Sequence, residues 1–122
     1  MNIRKATDYT AMFAALDALM VAQLPQMELY FEIGWVVSGR AEKGAAVAAS
    51  EYLQAAYPAT EGFSPRNVRR MRDFYRMYGD TPELLAEAMR LNWTQNVVIM
   101  EAGLTMDERC WYIRKVAESG LS

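Results

Sequence analysis

Histidine is absent from the 122 residues, cysteine occurs once, as Cys110, and lysine only as Lys5, Lys43 and Lys115. The missing histidine removes the commonest general base, and with a single thiol it also removes the usual zinc-ligand sets. Catalysis would have to rest on carboxylates, lysine or tyrosine. One cysteine cannot close an internal disulfide and nothing marks the chain for an oxidising compartment, so a cytoplasmic setting is expected. No glycine-rich phosphate loop, nucleophile elbow or HExxH helix is present. Long apolar runs are lacking too: residues 11–22 are interrupted by Asp17 and hold too few large side chains for a bilayer crossing of ~20 residues. Neither a membrane segment nor a signal peptide is expected.

What the chain does have is a globular composition, 52% hydrophobic and 23% charged, which is too apolar for disorder. A length of 122 residues suits one domain spanning 1–122 and is too short for two ordinary ones.

Helix signals recur from end to end while alternating strand patterns are nearly missing, so the expected class is all-α, a compact bundle of six or seven helices. A first amphipathic helix over Ile3 to Gln23 carries Ala6, Tyr9, Phe13, Leu16, Leu19 and Met20 at three- and four-residue spacing, before Pro25 disturbs the backbone. A second, Gln26 to Ser38, has apolar residues wrapped so far round that it reads as the central element of the core. The third, Gly44 to Tyr57, places Val47, Leu53 and Tyr57 near one face and ends before Pro58. After a turn, Ser64 is an N-cap candidate with Pro65 at the first helical position. Thr81 and Pro82 repeat that signature for a short helix through Arg90. Asn92 to Ala102 forms another, closed by Gly103. Thr105 and Glu108 make a capping box for the last, which runs to Glu118 with Gly120 beyond.

The helix that opens at Ser64 holds the main anomaly. Arg66, Arg69, Arg70, Arg72 and Arg76 stand within eleven residues opposed only by Asp73, a local charge of +4 that leaves −6 for the rest of a chain totalling −2. With Arg66 at zero and ~100° per residue, Val68, Met71, Phe74, Tyr75 and Tyr78 fall within roughly 80° to 200°. The five arginines fall on the other side, so one face is core and the other cationic. Like charges at these spacings repel by a few tenths of a kcal/mol per pair, and something must offset that. Three readings follow: a solvated face that meets carboxylates elsewhere in the chain, a phosphate-binding face suited to the planar guanidinium fork, or a surface for a protein partner, self-association included.

The order third helix, turn, capped basic helix has the form of a helix-turn-helix, whose second helix enters the major groove by its N-terminal end. Arg66, Asn67, Arg69 and Arg70 would then lie nearest base edges, with Arg72 and Arg76 along the backbone. Asn67 leans toward the apolar side, where a local capping role fits. Among other features, Trp35, Trp93, Trp111, Tyr112 and Tyr30 could stack on bases, but all sit in apolar-periodic segments and core packing is the expectation. Met20, Met71, Met89 and Met100 read as gap fillers and Cys110 as a small buried apolar residue. Glu28 and Glu32 lack a nearby histidine and read as helix surface or as partners for arginine.

Four stretches, "LYFEIGWVVS" (residues 29–38), "EGFSPRNVRRMRDFY" (61–75), "NWTQNVVIMEA" (92–102) and "ERCWYIRKVAESGLS" (108–122), resemble in the same order the N-terminal helical domain of the YhcG family, which pairs a predicted DNA-binding domain with a C-terminal PDDEXK nuclease. The most specific is GFS-x-RN-x-x-x-MR-x-FY, met here by Gly62, Phe63, Ser64, Arg66, Asn67, Met71, Arg72, Phe74 and Tyr75. The chain departs from the pattern at Pro65, usually basic, at Gln95, usually histidine, and at Leu121, usually tryptophan. It also stops where the nuclease half would begin and carries no Asp followed by a Glu-x-Lys unit to hold a metal. The resemblance implies a non-catalytic DNA-binding or assembly domain, associated with a nuclease or a mobile element and needing no cofactor. Its expected partners are DNA, duplex by preference, and a second copy or another protein.

Overall fold

The computed structural model describes residues 7–120 and contains seven helices: α1 (Thr10–Val21), α2 (Gln26–Ser38), α3 (Ala45–Ala56), α4 (Pro65–Tyr78), α5 (Pro82–Ala88), α6 (Trp93–Glu101) and α7 (Met106–Ser119). Among the described residues there is no strand, and the helices form a compact all-α bundle. The expected start of the first helix at Ile3, and Ala6 on its apolar face, lie outside the described residues. Within them the chain turns at Gln23, which takes a positive φ of 52°, two residues before Pro25.

Local chemistry sets most helix ends where the sequence places them. The Ser64 hydroxyl accepts from the Asn67 amide at 3.2 Å, and both Asn92 with Gln95 and Thr105 with Glu108 form reciprocal capping boxes. Each satisfies amides that the first helical turn leaves without a partner. Gly120 closes α7 in the left-handed region at φ 65°. Thr81 departs from expectation, because its side chain makes no capping bond and only Pro82 marks the start of α5.

The buried side chains form two clusters, and α4 runs through both. Val68 and Met71 join Met12, Leu16, Tyr30, Ile33, Val37, Leu53 and Phe63 in the first. One turn on, Phe74 and Tyr78 join Leu84, Leu91, Ile99 and Ile113 in the second. Trp93 packs against each. The central element is therefore α4 together with α2, which lies along it in the most extensive helix pairing of the fold. That closeness depends on Gly34, since a Cβ there would collide with the Met71 carbonyl oxygen and lie 2.7 Å from the carbonyl carbon. Two helix backbones can approach this far only where one has no side chain.

The third helix also differs from the sequence reading. Its inward face is Ala45, Ala46, Ala49, Ser50 and Leu53, while Val47 and Tyr57 are half-buried. Small residues let α3 sit close to its neighbours, and the one buried hydroxyl is satisfied because Ser50 donates to the Phe63 carbonyl. On the outer side a polar clasp ties α3 to α1. The Tyr52 and Tyr57 hydroxyls each donate to Asp17 at 2.6 Å, and Phe13 stacks on Tyr52 with ring centroids 4.2 Å apart. These two bonds, Tyr52 first, hold the Asp17 carboxyl below its ordinary value. The bond to Asp17, assisted by burial, pushes the Tyr57 hydroxyl up to about 12.

Candidate nucleic-acid interface

The N-terminal end of α4 is built by a short loop anchored to the core by Phe63. Gly62 holds a φ of 98°, a conformation that favours glycine, and a Cβ there would strike the Tyr30 hydroxyl. Phe63 next to it is 2% exposed, and its carbonyl accepts from both Ser50 and Gln54. Asn67 completes the pin: its amide nitrogen donates to the Gly62 carbonyl at 2.7 Å and its oxygen accepts from the Trp93 indole at 2.8 Å. Both ends of that amide are thus engaged inside the fold. This is the local role that the lean of Asn67 toward the apolar side suggests, and it draws the residue away from the arginine face.

From this pinned end the helix sorts its residues as the periodicity predicts. Val68, Met71, Phe74 and Tyr78 are buried and Tyr75 is half-buried, while Arg66, Arg69 and Arg76 are exposed and Arg70 and Arg72 are intermediate. The five guanidinium groups fall into three kinds. Arg66 and Arg69 make no hydrogen bond or ion pair among the described residues. Arg76 donates to the Ser38 hydroxyl on α2 at 3.0 Å, a contact that fixes its direction and leaves its charge uncompensated.

Arg70 and Arg72 do meet carboxylates, as a solvated face would. Arg70 pairs with Glu101 at the end of α6 at 2.7 Å, the two side chains being 24% and 47% exposed. Arg72 pairs with the adjacent Asp73 at 3.2 Å, the acid 52% exposed. Such surface pairs contribute about 0–1 kcal/mol, so an incoming anion can exchange with them at little cost. Internal neutralisation therefore removes part of the charge and leaves its N-terminal portion open. That portion coincides with the positive end of the helix dipole.

The expected pairing of α3 with α4 is present as a packing contact, across a connection of residues 57–64. It is longer than the three- or four-residue turn usual in helix-turn-helix motifs. The expectation of core packing for five aromatic residues holds for Tyr30 and Trp93, whose rings meet edge-on at 4.9 Å. It fails for Trp35, Trp111 and Tyr112, exposed by 55%, 55% and 45%. Their neighbours at helical spacing gave the signal: Trp35 has Glu32 and Ser38 three residues away on either side, and Trp111 lies among Asp107, Arg114 and Lys115. Charged or polar residues on the same stripe place an aromatic ring at the surface. Cys110, expected to be buried, is only half-buried on that same helix. Sequence reading also missed Arg109, which is 9% exposed and donates to the Leu104 carbonyl at 3.2 Å.

Among the described residues no group of three or more Cys, Asp or Glu side chains could hold a metal ion, and no helix is long and apolar enough to cross a membrane. Comparison with known proteins gives one result. The model of the family described as "DUF1016 N-terminal domain" matches residues 12–122, nearly the whole chain. No curated protein and no solved structure matches.

Proposed function

The chain belongs to the DUF1016 N-terminal domain family, and from that premise we propose that it is a non-catalytic DNA-binding domain that presents the arginine face of α4 to the phosphate backbone. Arg66 and Arg69 make the primary contacts, Arg76 extends them along the strand, and Arg70 and Arg72 exchange their carboxylates for phosphates. The observation that carries this reading is the pair of exposed, unpartnered guanidinium groups at the start of a helix whose other face is locked into the core. Arginine suits such a role because its fork of donors matches two phosphate oxygens at once. In groove terms, the N-terminal end of α4 is the part that would reach base edges.

The likeness to YhcG proteins supports a reading in which such a domain serves a PDDEXK nuclease, as the part that holds DNA while another segment or partner cuts it. This association is an analogy of sequence and adds no chemistry to α4. The rival reading is a protein-interaction module. It draws on the two ion pairs already formed by Arg70 and Arg72, which demonstrate that the face accepts carboxylates.

Retention on duplex and single-stranded DNA at two salt concentrations separates them. Under the DNA reading the parent is retained at low salt and released at high salt, and Arg66→Ala combined with Arg69→Ala reduces retention on every sequence tried. Equal retention of parent and double variant would remove α4 from the contact.

A further inference from the structure

Four of the six large hydrophobic side chains left exposed among the described residues, Val98, Met106, Trp111 and Tyr112, lie on α6 and α7. Trp111 on α7 is edge-on to Tyr112 at 4.9 Å and covered on one side by the Lys115 ammonium at 5.6 Å. Around it the charges of α7 have a particular order. Asp107 and Glu108 precede the tryptophan by four and three residues, and Arg114 and Lys115 follow it by three and four. All four are exposed.

On a helical wheel with Trp111 at zero and ~100° per residue, Asp107 falls near −40° and Arg114 near −60°, whereas Lys115 falls near +40° and Glu108 near +60°. Each flank of the tryptophan therefore carries one acid toward the N-terminus and one base toward the C-terminus, ~4.5 to 6 Å along the axis from it. A two-fold rotation about an axis through this point reverses the helix direction and keeps each flank on its own side. Asp107 then comes opposite the second copy's Arg114, and Glu108 comes opposite the second copy's Lys115, at matching heights. A parallel arrangement would instead set acid against acid and base against base.

We propose that α7 is a self-association surface on which a second copy of this chain docks its own α7 antiparallel, with the two Trp111 side chains at the centre and an ion pair at each corner. The interface is isologous, as the commonest dimers are, with an aromatic anchor inside a polar rim. Arg114 already bonds Glu87 at 2.9 Å but remains 57% exposed, so it is free to serve both carboxylates. The inference stands apart from the arginine face of α4 and holds whether or not that face binds DNA.

Sedimentation velocity over a concentration series tests it. The parent should show a concentration-dependent dimer, and Trp111→Ala should lower the association constant by about thirtyfold or more, as expected for a central aromatic anchor. Asp107→Lys and Arg114→Glu should each sediment as monomers alone, because each sets like charges together twice. Mixed in equal amounts they should form a heterodimer, since both contacts become attractive, and this rescue also demonstrates that each variant is folded. A parent that stays monomeric, an association constant unmoved by Trp111→Ala, or a mixture that fails to pair would each overturn the proposal.

Discussion

Asn67 carries more of the local architecture than its place in an arginine-rich stretch suggests. Its one amide holds the Gly62 carbonyl and the Trp93 indole, joining the loop before α4 to the start of α6. Removing it with Asn67→Ala leaves a part-buried indole N–H and a carbonyl without partners, a loss of about 1–3 kcal/mol, which a lower urea midpoint at unchanged slope would register. Asp17 gives the residue scale a pH test. Its carboxyl is held below the ordinary 3.8 by the Tyr52 and Tyr57 hydroxyls, so the stability it contributes is complete above pH 3.8 and is lost as pH falls through its lower folded value. The difference in urea midpoint between the parent and Asp17→Asn should be constant near neutrality and shrink once the pH passes below about 3.8. At the alkaline end the sign reverses. Tyr57, pushed up to about 12, contributes as the neutral phenol below its ordinary value and loses that contribution as pH rises through its folded value.

At the scale of elements, the residues of α4 and the loop before it divide into two tasks. Gly62, Phe63, Ser64, Asn67, Met71 and Phe74 fix where the helix starts and how it is rotated. Arg66 and Arg72 are what that rotation presents to solvent. The rotation was legible in advance because apolar and cationic positions separate cleanly at the helical period, and so were the caps at Ser64 and Thr105, which depend only on neighbours three residues apart. Contacts between distant segments were not legible. Nothing near Gly34 in the sequence announces that α2 touches the α4 backbone, and nothing beside Asn67 points to Trp93, 26 residues on. The alanine face of α3 was misread for the same reason, since close packing of small residues leaves no large apolar side chain to mark it. Gly34→Ala tests the closest approach: the added methyl must push α2 away from Met71, and overpacking of this kind costs about 1–3 kcal/mol. A melting temperature equal to the parent's would mean that the two helices are not held at this distance in solution.

For the whole molecule the electrostatic organisation matters more than its total. A net charge of −2 gives no attraction to a polyanion at long range, so the proposed DNA binding rests on the short-range field of α4. That field is strongest at Arg66 and Arg69 and partly compensated at Arg70 and Arg72. The exposed aromatic residues of α7, misjudged as core because periodicity was weighed ahead of their charged neighbours, lie on a different helix. The bundle thus offers two separate surfaces, one cationic on α4 and one aromatic with self-complementary charge on α7.

The most direct test of the central claim is the dependence of duplex DNA affinity on salt, measured for the parent and for Arg66→Ala with Arg69→Ala. If the two side chains each neutralise a phosphate, the slope of log affinity against log salt becomes shallower by roughly 1.8 in the double variant, about 0.9 per phosphate. A slope unchanged from the parent's, at any affinity, would contradict the assignment of DNA binding to α4.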